Sequence, residues 1–397
     1  MAQSAGMEVR MIKPEEYDVI VAGGGIAGIS AALSAARNGA KVLLVEKECV
    51  LGGLATLGLI TIFLPLCDGM GRQVIHGIGE ELLKLSIKHG YEDNYPKAWL
   101  ENGTLQEKMN HRYLVQYNPN LFAIEAEQLL VKEKVTILYD TWIVGTQQNE
   151  DGKSIQSINI VNKSGFSAVH ARVFVDCSGD ADLCYFSQVP TTSFRENKQA
   201  AWYYSVAEGE LKLQTLGAVD RPAGSEEEET IGKPFSGMDA MENSKVIINS
   251  HRIILEDVLA RRKDRKDLVP VNIPTILQVR MTRRLVGEYE LASEDEGRDF
   301  EDSIGLTGDW RKRGPVYQIP YRCLYSVGMD NLAVAGRCIS VANNDVWDIT
   351  RVLPCCCVTG EAAGAAAALA AREGHAFSKV EIKSLQHVLK RANVKIE

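Results

Sequence analysis

The 397-residue chain has a net charge of −8, with 45% hydrophobic and 24% charged residues. This is the balance of a folded globular protein and excludes a disordered or fibrous one, and the acidic net charge argues against a nucleic-acid partner, which needs clustered Lys and Arg. A single core stops growing at roughly 250–300 residues, so two linked domains are expected.

Nine cysteines, with no signal-like apolar segment in the polar opening Met1–Pro14, point to a reducing compartment and a cytoplasmic protein. Apolar stretches such as Leu59–Leu66 fall far short of the roughly 20 residues a membrane helix needs, so no membrane partner is expected.

In chain order, Tyr17–Ala22 reads as a buried parallel strand, followed by a helix from Ile26 to about Asn38 whose alanines suit close packing on a sheet. Lys41–Glu46 is a second strand, and strand, helix, strand within about 30 residues makes a βαβ unit. Short helices are expected at Gly79–His89 and Phe122–Glu133 and a strand at Val135–Tyr139; the β runs of Trp142–Val175, broken by turn signals, form a β-meander. From about Leu183 to Val316 the charge rises: the Arg221–Ser225 segment and the Glu226–Glu229 run read as surface loop. Met241–Arg265 reads as a long helix, its basic end Arg261–Lys266 solvated. The α/β pattern then returns with a strand at Asn331–Gly336 and an alanine-rich helix at Gly360–Ala371. The expected architecture is α/β: a Rossmann-type dinucleotide-binding domain, parallel sheet plus β-meander, with an inserted α+β substrate domain. Its parts are residues 15–185, the insert 186–316, and a completing segment 317–397.

The sharpest motif is Gly23-Gly24-Gly25-Ile26-Ala27-Gly28, a G-x-G-x-x-G between strand and helix. Gly23 permits the tight turn, Gly25 lets backbone amides approach a pyrophosphate, and Gly28 lets the helix pack closely, while the helix N-terminus supplies free N–H groups for the anion. Glu46, at the end of the next strand, can accept hydrogen bonds from the adenosine ribose. Three later glycine segments favour FAD over NAD. The glycine pair in Gly52-Gly53-Leu54-Ala55-Thr56 folds back over a dinucleotide, and Ser178-Gly179-Asp180 and Ala335-Gly336-Arg337 end two further strands, as a long, extended FAD requires.

These segments, together with Arg280–Tyr289, Ile319–Leu324 and Arg351–Pro354 running into Gly360–Gly364, resemble the FAD-dependent oxidoreductases with a glutathione-reductase-like FAD fold. Within them the chain is similar to a group distantly related to fumarate reductase flavoproteins. The resemblance implies FAD as cofactor, held by Gly23, Gly25, Ile26, Ala27, Gly28, Glu46, Lys47, Gly52, Gly53, Leu54, Ala55, Thr56, Gly179, Asp180, Gly336, Arg337, Val352 and Leu353. Two features depart from the reductases of this fold: Cys49 and Cys67 do not have the spacing of a redox pair, and no second G-x-G-x-x-G serves a nicotinamide. Arg337 stands where many relatives carry an acid, and it faces either the flavin phosphates or the substrate side. No histidine falls within Gly52–Thr56, where covalently flavinylated relatives place theirs, so the flavin is expected to be non-covalent.

For catalysis the candidates are Arg283, Arg351, His76 and Tyr321, with His111, Arg280, Arg284 and Arg322 behind them. An arginine from each side of the cleft would hold a carboxylate, or each is tied up in its own salt bridge. His76 is either an acid or base or a solvated loop residue. Cys355-Cys356-Cys357 reads as packing rather than redox, and no metal site is expected. The expected function is transfer of a hydride or electron pair between flavin and a small organic substrate, a carboxylate being the leading candidate, with an unidentified electron partner. The alternative is a protein that uses FAD in a biosynthetic, modifying or structural role.

Overall fold

The structure, a computed structural model, describes residues 17–89, 95–220 and 233–397. Met1–Pro14, the Arg221–Ser225 segment and the Glu226–Glu229 run lie outside the described residues.

Five parallel strands form the central sheet, in the order Thr136–Leu138, Val42–Val45, Tyr17–Ala22, the second half of Gly165–Asp176, and Leu332–Val334. Their hydrophobic runs, including Val19, Ile20, Val21 and Leu44, are fully buried, as strands covered on both faces must be. Ala22 is level with Val45 on one side and Asp176 on the other, and Asp176 with Val334, so the carboxyl ends of these strands share one edge. The first half of Gly165–Asp176 leaves this layer and pairs antiparallel with Ile155–Asn162, which pairs with Trp142–Gln148, giving the expected meander. A strand some 160 residues after its neighbour completes the sheet, as the return of the α/β pattern implied.

Helices Ile26–Arg37 and Leu353–Glu373 pack together on the sheet at very short range. A Cβ at Gly360 would lie 2.4 Å from the Ala27 carbonyl oxygen, and one at Gly364 2.2 Å from that of Ala31. Small residues on both helices therefore set the separation. The second helix starts seven residues before the expected Gly360, because Pro354 fits the first turn. At 21 residues it is long and apolar enough to cross a membrane, but 94% of its apolar window is buried inside the protein. The apolar runs noted in the sequence missed it because Gly, Thr and Glu361 interrupt the large aliphatics.

Within 186–316, an antiparallel sheet of Glu210–Gln214, Tyr203–Ala207 and Val269–Asn272 packs on helix Ala240–Arg261. Tyr203, Ala207, Ile254, Val258 and Leu268 build a small separate core, and the Tyr203 hydroxyl donates to Asp257 at 2.7 Å. Met281, Leu285, Ile304 and Leu306 join the main core instead. The hairpin of Ser303–Gly308 with Val316–Pro320 spans the expected division at 316.

Candidate active site

The shared carboxyl edge of the parallel strands opens into a cleft of about 300 Å³, where ligands of open α/β sheets bind. A shallower groove of about 570 Å³ lies at the opposite ends of the same strands, by Tyr17, Arg172 and Asn331, and contains none of the loop glycines.

The glycine loop forms one wall. Gly23 has φ +95° and leaves room for the Cys177 carbonyl, 2.7 Å from where a Cβ would stand. Gly25 caps helix Ile26–Arg37 with no side chain, and a Cβ there would meet nothing within 4 Å. The first amide bonded within the helix is that of Ile29, donating to the Gly25 carbonyl at 2.9 Å. The amides of Ile26 and Ala27, both on the cleft wall, therefore lack helical partners and present a partial positive charge. This open, side-chain-free cradle fits a pyrophosphate. Gly28 lies behind it: a Cβ would fall 1.8 Å from the Gly23 carbonyl oxygen, so its place is in the packing of the turn rather than on the cleft.

Glu46 is buried, and its carboxylate accepts from the amides of Gly24 at 2.5 Å and Glu48 at 2.9 Å. Burial pushes its pKa up while those two amides pull it down. Lys47 lies at the same end, its Nζ 5.3 Å from the centre of the Trp142 ring. Gly52 bonds back to the Gly24 carbonyl at 2.8 Å, folding Gly52, Gly53, Leu54 and Ala55 over the loop and onto the cleft. Thr56 is off the cleft: its buried hydroxyl donates to the Leu51 carbonyl at 2.6 Å and closes the turn.

Across the cleft stand Gly179, Asp180, Gly336 and Arg337. Arg337 Nη2 meets Asp180 Oδ1 at 3.0 Å and Nη1 donates to the Val279 carbonyl at 2.5 Å. Thr282 also donates to Asp180, at 2.6 Å. Arg337 thus ties the sheet edge to the inserted segment, and Asp180 supplies an acid beside it. Asp182, part-exposed at the mouth, is pushed up to about 7 by burial and by the charges of Asp180 and Asp176.

The first turn of helix Leu353–Glu373 closes the far end with Leu353, Cys356 and the preceding Arg351. Val352 is the helix cap, its carbonyl accepting from Cys356 N at 2.9 Å, and it does not line the cleft. Burial pushes the Cys356 thiol up to about 12 against the pull of Arg337 and Arg351, and burial also pushes the wholly buried thiols of Cys355 and Cys357 well above the ordinary thiol range. Three neutral thiols in a helix wall pack as small hydrophobes.

The four catalytic candidates separate. Arg351 lines the cleft. Arg283 does not: it pairs with Asp182 at 2.6 Å, donates to the Asp180 carbonyl at 2.8 Å and stacks on Tyr185. Tyr321 is buried elsewhere in a turn after Pro320, with its hydroxyl donating to the Phe377 carbonyl at 2.9 Å. His76 precedes helix Gly77–Ser86, 3.8 Å from Glu80 and away from the cleft, with its pKa lowered by burial. Of the secondary candidates, Arg284 donates to the Val341 carbonyl and stacks on Trp347, while Arg322 pairs with Asp302. Sequence reasoning missed Trp142, Cys177, Asn243, Ile276 and Val279 on the cleft wall. Only Cys177, next to Ser178-Gly179-Asp180, had a local signal. Among the described residues no group of His, Cys, Asp and Glu could hold a metal ion.

The sequence matches the family described as FAD dependent oxidoreductase over residues 18–216 and 239–389. It is also similar to a fumarate reductase (cytochrome) of Shewanella frigidimarina, 40% identical over 82 residues, covering 21% of this chain and 14% of that protein. A thioredoxin reductase of Ureaplasma parvum serovar 3 is 30% identical over 102 residues, covering 24% of this chain and 33% of that protein. The matched part is thus a minor share of either relative. Among solved structures, p-nitrophenol 4-monooxygenase PnpA from Pseudomonas putida DLL-E4 has the same fold, with a TM-score of 0.52 and 12% identity, over 94% of this chain and 84% of that one. The open glycine cradle and the family match over most of the chain lead to one conclusion: this chain belongs to the FAD-dependent oxidoreductase family, with FAD as its cofactor.

Proposed function

We propose that the enzyme moves a hydride or electron pair between FAD and a small organic acid, held where the inserted segment faces the first turn of helix Leu353–Glu373. When bound, FAD supplies the two-electron donor or acceptor. The Gly23–Ala27 loop and the Gly52–Ala55 turn hold its pyrophosphate, and Glu46 its ribose. Arg337 and Asp180 hold the two sides of the cleft in register. The unpaired amides of the first turn at Leu353 direct positive charge to the reacting end.

The observation that carries the substrate class is Arg351. Asp348 takes only its Nη2, and its Nε is buried without a partner. Asn243, on helix Ala240–Arg261 and also lining the cleft, donates from Nδ2 to the Gly237 carbonyl at 3.0 Å, while its Oδ1 is likewise buried and unpaired. An unmatched buried polar group costs about 1–3 kcal/mol, so a ligand that lets these side chains turn toward it recovers that cost. A carboxylate next to an N–H or O–H donor matches both. Arg351 is the binding residue for the acid, and Arg283 only braces the mouth.

The test is titration of the flavin absorbance with small carboxylates, including amino and hydroxy acids, on the wild type and Arg351→Met. With FAD content unchanged, Arg351→Met should bind them more weakly by roughly tenfold or more, the loss of a charge-assisted hydrogen bond. Equal binding by both proteins would overturn the reading.

A further inference from the structure

Trp142 is the one aromatic residue on the cleft wall among the described residues. The residue is 52% exposed, an unfavourable state for so large an apolar side chain. Its position is fixed by backbone pairing: Thr141 N, one residue earlier, donates to the Glu46 carbonyl at 3.1 Å, and Trp142 then begins the strand that pairs with Ile155–Asn162. Trp142 is therefore anchored next to Glu46 through the backbone, and both residues line the same cleft. Lys47 sits over the ring, 5.3 Å from its centre, restricting it from one side. Whatever base is attached to a ribose on Glu46 comes within reach of this ring.

We infer that Trp142 is the adenine platform of the FAD site: the purine stacks on the indole, and Lys47 holds the indole in place. The glycine-loop contacts are backbone amides that any pyrophosphate would satisfy and Glu46 takes the ribose, so Trp142 is the side chain that recognises the adenine base. The inference rests on FAD lying with its ribose at Glu46, and the test separates that premise from the stack itself.

Full-length protein stripped of flavin is titrated calorimetrically with FAD, AMP and FMN, for the wild type, Trp142→Ala and Trp142→Phe. Loss of the stack should weaken FAD and AMP by the same factor, about tenfold, and leave FMN unchanged, with Trp142→Phe recovering most of the loss. AMP should also quench the tryptophan fluorescence of the wild type, and this quenching should vanish in Trp142→Phe. FAD and AMP constants within twofold of wild type in Trp142→Ala would overturn the stack, as would equal weakening of FMN, which would mark a general distortion. A wild type that binds FAD but not AMP would overturn the premise that the adenosine half is held at Glu46.

Discussion

Glu361, in the middle of helix Leu353–Glu373, accepts a hydrogen bond at 2.9 Å from the amide of Ile78, in the first turn of helix Gly77–Ser86. His76, the residue at the capping position, makes no side-chain capping hydrogen bond to that helix, so the cap comes from a residue 283 positions away. Gly77 leaves room for it: a Cβ there would lie 2.5 Å from the carboxylate.

That contact predicts a pH-dependent stability. Glu361 is almost fully buried, and its pKa is pushed from 4.5 up to about 8 by burial, with Glu81 adding to the rise and Ile78 N and Arg37 opposing it. The folded state holds this proton more tightly than the unfolded chain, so its contribution is full below about pH 4.5 and is lost as pH rises through about 8. Glu361→Gln keeps an acceptor for Ile78 and cannot ionise. Melting temperatures measured from pH 6 to 9 should fall more steeply for the wild type than for the variant, and parallel curves would refute the assignment.

Gly25→Val separates folding from cofactor retention. Gly25 has φ −69°, which any residue adopts, and no atom lies within 4 Å of a Cβ, so the variant should fold with a normal melting temperature. The valine would fill the cradle and block the pyrophosphate, reducing bound FAD to less than about a tenth of the wild-type ratio, because several amide contacts to the anion are lost together. Full flavin content in a folded Gly25→Val would rule out the loop as the pyrophosphate cradle.

Gly28→Ala and Gly364→Val should instead fail in folding. Their new carbons would overlap the backbone oxygens of Gly23 at 1.8 Å and Ala31 at 2.2 Å, and backbone cannot move aside as a side chain can. A loss of about 3 kcal/mol or more is expected, at the upper end of overpacking, read by chemical denaturation. Wild-type midpoints would contradict the close helix packing.

Arg283→Met offers a contrast with Arg351→Met. Removing Arg283 leaves Asp182 without its cationic partner beside Asp180 and Asp176. The expected result is lower thermal stability with unchanged affinity for small carboxylates. Weaker carboxylate binding in Arg283→Met would restore that residue to the substrate side.

Thiol chemistry gives a further check. Cys49 is exposed and the other eight cysteines are buried, so a thiol reagent should modify about one group quickly in the native protein and nine after denaturation. Rapid native labelling of Cys356 would contradict its packing role.

The parts legible in the sequence are those set by neighbours in the chain. The turn at Gly23, the helix it opens, the acid at Glu46 and the fold-back at Gly52 are all local, and each is found close to its expected place. Tyr321 and His76 sit in segments that the resemblance or the loop order singled out, but side-chain direction decides function there. Tyr321 turns to the Phe377 carbonyl, and His76 stays beside Glu80. The Arg337–Asp180 pair joins residues 157 apart and the Glu361 cap joins residues 283 apart. No periodicity marks such contacts, because they exist only once the C-terminal segment has returned to the sheet, where Leu332–Val334 pairs with Gly165–Asp176.

The most direct test of a non-covalent FAD enzyme is to precipitate the purified protein with acid and quantify flavin in the supernatant and the washed pellet. The native protein should be yellow, release about one FAD per chain into the supernatant and leave a colourless pellet. A colourless native protein, or a pellet that stays yellow after washing, would contradict it.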